Sequence, residues 1–151
     1  MVDPVRDAEI IESELLLADL ETLEKQYEKT KKLGKSGGKK EKKKFDVISR
    51  LSKHCNGGHR ARTFLADEDE IAIINSLHLL TRKPILYVSN VDEKEIVNAQ
   101  GGILEQRLSD FANKEGNLAI RLCSKLEQDI AVLSANEKEI FLKEYLSLIH
   151  I

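Results

Sequence analysis

Lys83-Pro84-Ile85-Leu86-Tyr87-Val88-Ser89-Asn90-Val91-Asp92-Glu93 is the stretch on which the reading of this chain turns. Pro84 to Ser89 is a short apolar run rich in β-forming side chains, long enough for a strand and too short for a helix, and it predicts a buried strand. The pattern then changes period. Ile103 to Lys114 reads as a helix that Gly116 ends, and Leu118 to Cys123 as a second short strand, weakened by Arg121. Two helices follow, at about Lys125 to Leu133 and Asn136 to Tyr145. Strand, helix, strand, helix is the order of a parallel α/β sheet. Two strands do not make a stable sheet face, so further strands are expected to lie outside this sequence.

Working outward to the N-terminus, Asp3-Pro4 is a helix start: a capping residue, then proline at the first helical position. Asp7, Glu9 and Glu12 follow, where acids complement the helix dipole. Leu16, Leu20, Leu23 and Tyr27 fall on one helical face, and Ile10 and Leu17 extend that stripe. The helix is expected to run to about Lys32 and to break at Gly34-Lys35-Ser36-Gly37-Gly38. A second amphipathic pattern runs from about Lys39 to His54 with Phe45, Ile48 and Leu51 at i+3 steps. The two predict an antiparallel helical hairpin, each helix burying the other's stripe. Asn56-Gly57-Gly58 ends the second helix, and the acids Asp67 to Glu70 open a third that carries Ile71, Ile74 and Leu77.

The bulk properties agree with such a molecule. In 151 residues, 33% are charged, 41% apolar and none is Trp, which favours helices with solvated faces over a compact sandwich. No apolar run approaches membrane-spanning length, and Met1 to Glu14 has no apolar segment of the signal-peptide kind. Cys55 and Cys123 fit no disulfide or zinc framework, so a reducing cytoplasm is the expected setting and no membrane is expected as a partner. His54, Cys55 and His59 lack a second ligand pair at zinc spacing, so no metal site is expected. The net charge of -2 conceals an asymmetry: Lys29 to Lys44 holds nine lysines against one acid, Glu41.

Three motifs could carry nucleotide chemistry. Gly34-Lys35-Ser36 imitates the end of a phosphate-binding loop, but position 29 is lysine where that loop needs glycine, and a charged helix precedes where it needs a strand. It is set aside. Asn90-Val91-Asp92-Glu93 follows the first strand, and ligands of open α/β sheets bind at the carboxyl ends of strands. GTPases carry Asn-Lys-x-Asp there, and that Asp accepts from two guanine N–H groups. With Val91 and Glu93 in place of Lys and Asp, guanine selectivity should weaken. The competing reading is a helix N-terminus with acids in its first turn. Cys123-Ser124-Lys125 follows the second strand, where GTPases carry Ser-Ala-Lys beside the base; the competing reading is a serine helix cap.

Taken together, three stretches resemble the Obg-like ATPase (YchF) family. They are the opening VDPVRDAEIIESELLLADLET (2–22), LLTRKPILYVSNVDE (79–93) with its Asn-x-x-Glu motif, and CSKLE (123–127), with the tail from Leu133 to Leu142 in matching order. The resemblance extends to about Tyr145. It implies a ribosome-binding P-loop ATPase of the TRAFAC class, of which this sequence is an internal piece. The implied fold is a partial P-loop NTPase (Rossmann-like parallel sheet) with an inserted antiparallel helical hairpin, a coiled coil. Residues 1–66 would be the hairpin insertion and 67–145 the C-terminal part of the nucleotide-binding domain. Residues 146–151, Leu-Ser-Leu-Ile-His-Ile, depart from the family and match what a transposon adapter used in DNA library preparation would encode; they are expected to be non-native.

The family implies ATP, with GTP as the other candidate, and Mg²⁺ only in the full-length protein. Asn90, Val91 and Glu93 would contact the base, and Cys123, Ser124 and Lys125 would form the loop beside it. Ser124 departs from the usual small apolar residue. The phosphate-binding loop, the switch regions, the Mg²⁺ ligands and the C-terminal TGS domain have no counterpart here, so this chain alone is expected to hydrolyse nothing. Lys31, Lys32, Lys35, Lys39, Lys40, Lys42, Lys43 and Lys44, at the hairpin tip, would contact ribosomal RNA through its phosphates, without base stacking. The competing reading of that tip is a solvated loop. The alternative function is a non-enzymatic helical module that binds RNA or protein; a true GTPase is disfavoured by Val91 and Glu93.

Overall fold

The structure is a computed structural model that describes residues 2–98 and 101–149, with the backbone alone for residues 33, 35, 36 and 144–149. It forms two compact units, one of residues 6–84 and the other of the described residues of 1–5 and 85–151.

The first unit is built on a helical hairpin. Helix α1 spans Pro4–Ser36, and Asp3 Oδ1 accepts the Val5 N–H at 3.2 Å at its start. Helix α2 spans Lys39–Asn56 and stops at a glycine pair, with Gly58 at φ +84, where a side chain would be strained. Leu16 and Leu23 of α1 pack with Val47, Ile48, Leu51 and Cys55 of α2 in one core, flanked by Leu20 and Tyr27. The Tyr27 and Phe45 rings stack with centroids 5.3 Å apart, late in one helix against early in the other, as an antiparallel pair requires.

Two expectations need correction. Gly34 does not break α1: the helix continues two residues further, and a Cβ on Gly34 would stand 2.7 Å from the Phe45 ring. The glycine is there for close helix approach, and the turn is left to Gly37 and Gly38. The imitation of a phosphate loop thus lies at a helix end. Ile10 and Leu17 do not extend the buried stripe; they are 46% and 63% exposed. The stripe runs instead through Ala8, Glu12, Leu16, Asp19, Leu23 and Thr30.

Its polar members are satisfied. Glu12 is 2% exposed and paired with Arg60 and, at 2.9 Å, with Arg62. Asp19 holds a 3-10 turn at Leu80–Arg82, and a second such turn lies at Ala61–Thr63. Helix α3, Glu68–Asn75, begins where the acids predict: the Asp67 side chain accepts the Glu70 N–H at 2.8 Å, and the Glu70 carboxylate returns to the Asp67 N–H.

The second unit contains strands β1 (Leu86–Asn90) and β2 (Leu118–Leu122), parallel and paired from Leu86 opposite Leu118 to Asn90 opposite Leu122. Between them run a short helix α4, Glu93–Ile96, and helix α5, Ile103–Lys114, the latter as the periodicity predicts. Asn117 ties the two strand beginnings: its Oδ1 accepts the Ile85 N–H at 3.3 Å. Helices α6 (Ser124–Ala131) and α7 (Ala135–Ile149) follow. Of the expected non-native tail, 146–149 continue the backbone of α7, and 150–151 lie outside the described residues.

Helix α5 covers one sheet face, with Tyr87 edge-on to Phe111 at 5.9 Å. On the other face Leu86, Val88, Leu118 and Ile120 are between 44% and 67% exposed. The buried-strand expectation is therefore not met: one face is half-buried, the other is open, and no residue of β1 or β2 is fully buried. An apolar run reports what a strand is suited to pack against, and among the described residues that second face is left open. Among the described residues no helix is long and apolar enough to cross a membrane.

Candidate functional site

The pairing of Asn90 with Leu122 ends both strands at one level, so the segments that leave them meet at the carboxyl edge of the sheet. Val91 N–H donates to the Leu122 carbonyl at 2.9 Å, which carries the pairing one residue further. A cleft of about 340 Å³ opens there, lined by Asn90, Val91, Asp92, Glu93, Lys94, Cys123, Ser124 and Lys125. All six residues singled out from the two motifs line it.

Two side-chain contacts join the segments. Asn90 Oδ1 accepts the Ser124 N–H at 2.9 Å and the Ser124 hydroxyl at 2.7 Å. These donors fix which way the Asn90 amide faces, and its Nδ2 remains the group able to donate elsewhere. Glu93 Oε1 and Lys125 Nζ form an ion pair at 2.8 Å. That carboxylate holds the Lys125 ammonium above the usual lysine range, first by its hydrogen bond and then by its charge. Val91 adds a half-buried apolar surface, and Cys123, 4% exposed, forms part of the wall.

The competing readings are met in different degrees. The acids after β1 do start a helix: Asp92 precedes α4, and its N–H donates to Glu95 Oε2 at 3.2 Å. Ser124 does not cap α6; it is the first helical residue, Cys123 holds the cap position without a side-chain bond, and the serine hydroxyl turns to Asn90.

Sequence reasoning missed Arg121. From β2 its guanidinium donates to the carbonyls of Asn98, at 2.7 Å, and Glu95, and pairs with Glu105 at 3.0 Å. Glu105 in turn accepts the Gly102 N–H at 2.6 Å. One side chain thus holds a carbonyl of α4, the helix that carries Glu93, a carbonyl just beyond it, and the start of α5. A charge in the middle of a strand was the available signal, since such a charge needs partners nearby.

The lysines lie on the last turns of α1 and the first turns of α2. Lys32, Lys39, Lys40, Lys42 and Lys44 are exposed, and the Lys35 side chain is outside the described residues. Lys31 pairs with Glu28 at 3.1 Å and lies over the Tyr27 ring, while Lys43 reaches Asp69 at 2.9 Å and Asp67 at 3.6 Å. The field of the tip is therefore smaller than the lysine count suggests. His54 and His59 stack at 5.0 Å, and His54 Nε2 meets Thr63 Oγ1 at 2.9 Å. Among the described residues no group of three or more His, Cys, Asp or Glu could hold a metal ion.

No family model matches the chain. It is 38% identical over 143 residues to the ribosome-binding ATPase YchF of Bacillus subtilis, covering 95% of this chain and 39% of that protein. It is 35% identical over 150 residues to Obg-like ATPase 1 of Saccharomyces cerevisiae, with 95% and 38% covered. Its fold superposes on the structure of the Schizosaccharomyces pombe YchF GTPase with a TM-score of 0.82 at 27% identity, over 95% of this chain and 40% of that one. The chain thus spans about two-fifths of the relatives it matches. Over 95% of its own length, the chain is homologous to YchF and Obg-like ATPases.

Proposed function

We propose that this chain supplies the base-reading cleft of a nucleotide-binding, ribosome-associated ATPase, and that the cleft takes the base of ATP in preference to that of GTP. The observation that carries the reading is the meeting of Asn90, Val91 and Glu93 with Cys123, Ser124 and Lys125 around one cleft at the carboxyl ends of two parallel strands. The chemistry suits a purine: Asn90 offers a donor, Glu93 an acceptor, Lys125 a further donor, and Val91 an apolar surface. The names of the relatives, ribosome-binding ATPase and Obg-like ATPase, support the same class.

Phosphoryl transfer needs phosphate and Mg²⁺ contacts. No catalytic step is assigned to these residues. The part assigned to them is to hold and orient the base. The exposed lysines of the hairpin tip are assigned to phosphates of ribosomal RNA, in a cytoplasmic setting.

The test is a titration with fluorescent ATP and GTP analogues of the chain joined to a family phosphate-binding segment. Asn90→Ala and Glu93→Ala should each weaken binding about tenfold, or change base preference, as loss of a hydrogen bond to the ligand does. Unchanged affinity and preference in both variants would remove the assignment. A second reading, a helical module that binds RNA or protein without nucleotide, has in its favour the exposed Lys39, Lys40, Lys42 and Lys44. It predicts RNA binding that neither nucleotide nor the cleft variants alter.

A further inference from the structure

We propose that the outer face of α1 docks a second copy of this chain. The two hairpins lie antiparallel, so that the lysines near the tip of each meet the glutamates along the stem of the other. The inference goes beyond the nucleotide-binding reading and does not depend on it.

Ile10, Glu14, Leu17, Glu21, Glu24 and Glu28 recur at steps of four, three, four, three and four residues, so they form one stripe along α1. It lies across the helix from the buried stripe, and every member is exposed, Leu17 at 63%. Those six positions hold four carboxylates and no cation. Beside the stripe, Leu17, Leu20 and Tyr27 face Ser52 and Asn56 of α2 across an open groove of about 570 Å³, and its charged lining residues are Glu21, Glu24 and Glu28. An apolar floor under carboxylates suits lysine side chains, whose methylene stems lie on the floor while the ammonium reaches the acids.

The complementary surface is on the same chain. Four residues beyond Glu28 the stripe changes sign at Lys32, and Lys39, Lys40 and Lys42 stand exposed at the start of α2. These lysines do not reach the groove of their own molecule. Helix α1 is unbroken from Pro4 to Ser36, and at 1.5 Å per residue Lys32 stands about 16 Å along it from Glu21. Between two copies the geometry closes. A two-fold axis makes contacts reciprocal, and it brings acids opposite lysines only where it crosses the stripe at the change of sign, beside Glu28. Lys32 then faces Glu24 of the second copy, and Lys39 and Lys40 come level with its Glu21 and its groove. At the axis each Glu28 is paired with its own Lys31 at 3.1 Å, so the two pairs can alternate and like charges need not meet. Exposed ion pairs are individually weak and screened by salt, which makes this a weak, salt-sensitive dimer. In it the tip lysines face the second copy and are withdrawn from RNA phosphates.

The experiment is sedimentation equilibrium of the chain over a range of concentrations. A monomer–dimer equilibrium is expected, with a dissociation constant that rises about tenfold between about 0.05 M and about 0.5 M salt. Glu21→Lys with Glu24→Lys should give a monomer, and so should Lys32→Glu with Lys39→Glu. An equimolar mixture of the two variants should dimerise again, because only unlike copies then present opposite charges to each other. All four substitutions fall on exposed side chains, circular dichroism reports whether the helices are kept, and recovery in the mixture itself requires both variants to be folded. A wild-type chain that sediments as a monomer at about 1 mM in low salt overturns the proposal and leaves the groove to a basic segment of another protein. Dimers that survive either charge reversal, or folded variants that stay monomeric when mixed, overturn it as well.

Discussion

The most demanding prediction concerns Asp19, a carboxylate at 2% exposure on a helix face that hydrophobic periodicity reads as apolar. Its Oδ1 accepts the Leu80 N–H at 2.7 Å, and its Oδ2 accepts both the N–H and the hydroxyl of Thr81, each at 2.7 Å. The Thr81 hydroxyl oxygen in turn accepts the N–H of Ala61, itself fully buried, at 2.9 Å. Segments about sixty residues apart are thus held through one carboxylate. Asp19→Asn nearly preserves the shape and has only one acceptor oxygen. Whichever way the amide turns, its NH₂ faces either the Leu80 N–H or the Thr81 N–H.

Hydrogen bonds to a charged group contribute about 1.5–3 kcal/mol each, and a broken buried charged cluster costs about 3–5 kcal/mol in total. We therefore expect Asp19→Asn to remove about 3 kcal/mol from a total stability of about 5–15 kcal/mol. Thr81→Val should cost about 1–3 kcal/mol by leaving the Ala61 N–H without its acceptor. The double variant should lose less than the sum by about 1 kcal/mol or more, since both changes remove the same bond. Urea unfolding followed by circular dichroism measures all three. A loss below about 1 kcal/mol for Asp19→Asn, or strict additivity, would refute the claim that this network holds the unit together.

The Cys55 thiol is pushed up from 9.0 to about 11, chiefly by burial and secondarily by Asp19. Between those values the unfolded chain gives up a proton that the native chain retains, so stability should fall as pH rises from about 9 and level off above about 11, by about 2–3 kcal/mol at most. Cys55→Ala should flatten that part of the stability–pH curve, and an unaltered slope would count against it. Arg121→Met should speed amide exchange from Glu95 through Gly102, leaving Leu51 and Ile74 as protected as before; uniform exchange across the chain would mean that the clamp is not local. Binding of single-stranded RNA should weaken linearly on a log–log salt plot, and alanine at Lys39, Lys40, Lys42 and Lys44 should reduce the slope by about 3. A slope that does not change would place the contact elsewhere.

How far the fold could be read depended on whether each segment is organised by apolar contacts. Helix α5 and the capped start of α3 are local matters of periodicity and side-chain acceptors, and both stand where those signals put them. Helix α1 is not local. Its buried stripe alternates leucines with Glu12, Asp19 and Thr30, and a pattern that counts only apolar residues drifts to Ile10 and Leu17, which face solvent. A buried carboxylate is stable only with its partners, here Arg60, Arg62 and the turn at Leu80, all at least 48 residues away. Gly34 shows the same limit. As a breaker it ends a helix; beside Phe45 it lets two helices approach, and only the partner decides between these.

The candidate site was more legible than the fold around it, because both motifs follow strands and the carboxyl ends of neighbouring parallel strands are adjacent by construction. Residue types alone do not say which donors and acceptors are already engaged. The Asn90 oxygen is occupied by Ser124, and that separates two duties of one side chain. Asn90→Asp keeps an oxygen for the Ser124 N–H and hydroxyl but lacks the amide donor proposed to meet the base. It should therefore leave the amide spectrum of the Ser124 loop close to that of the wild-type chain while weakening adenosine. Asn90→Leu should lose both. If Asn90→Asp binds adenosine as the wild-type chain does, Asn90 serves only to join the two strand ends, and recognition of the base must be carried by Glu93 and Lys125 alone.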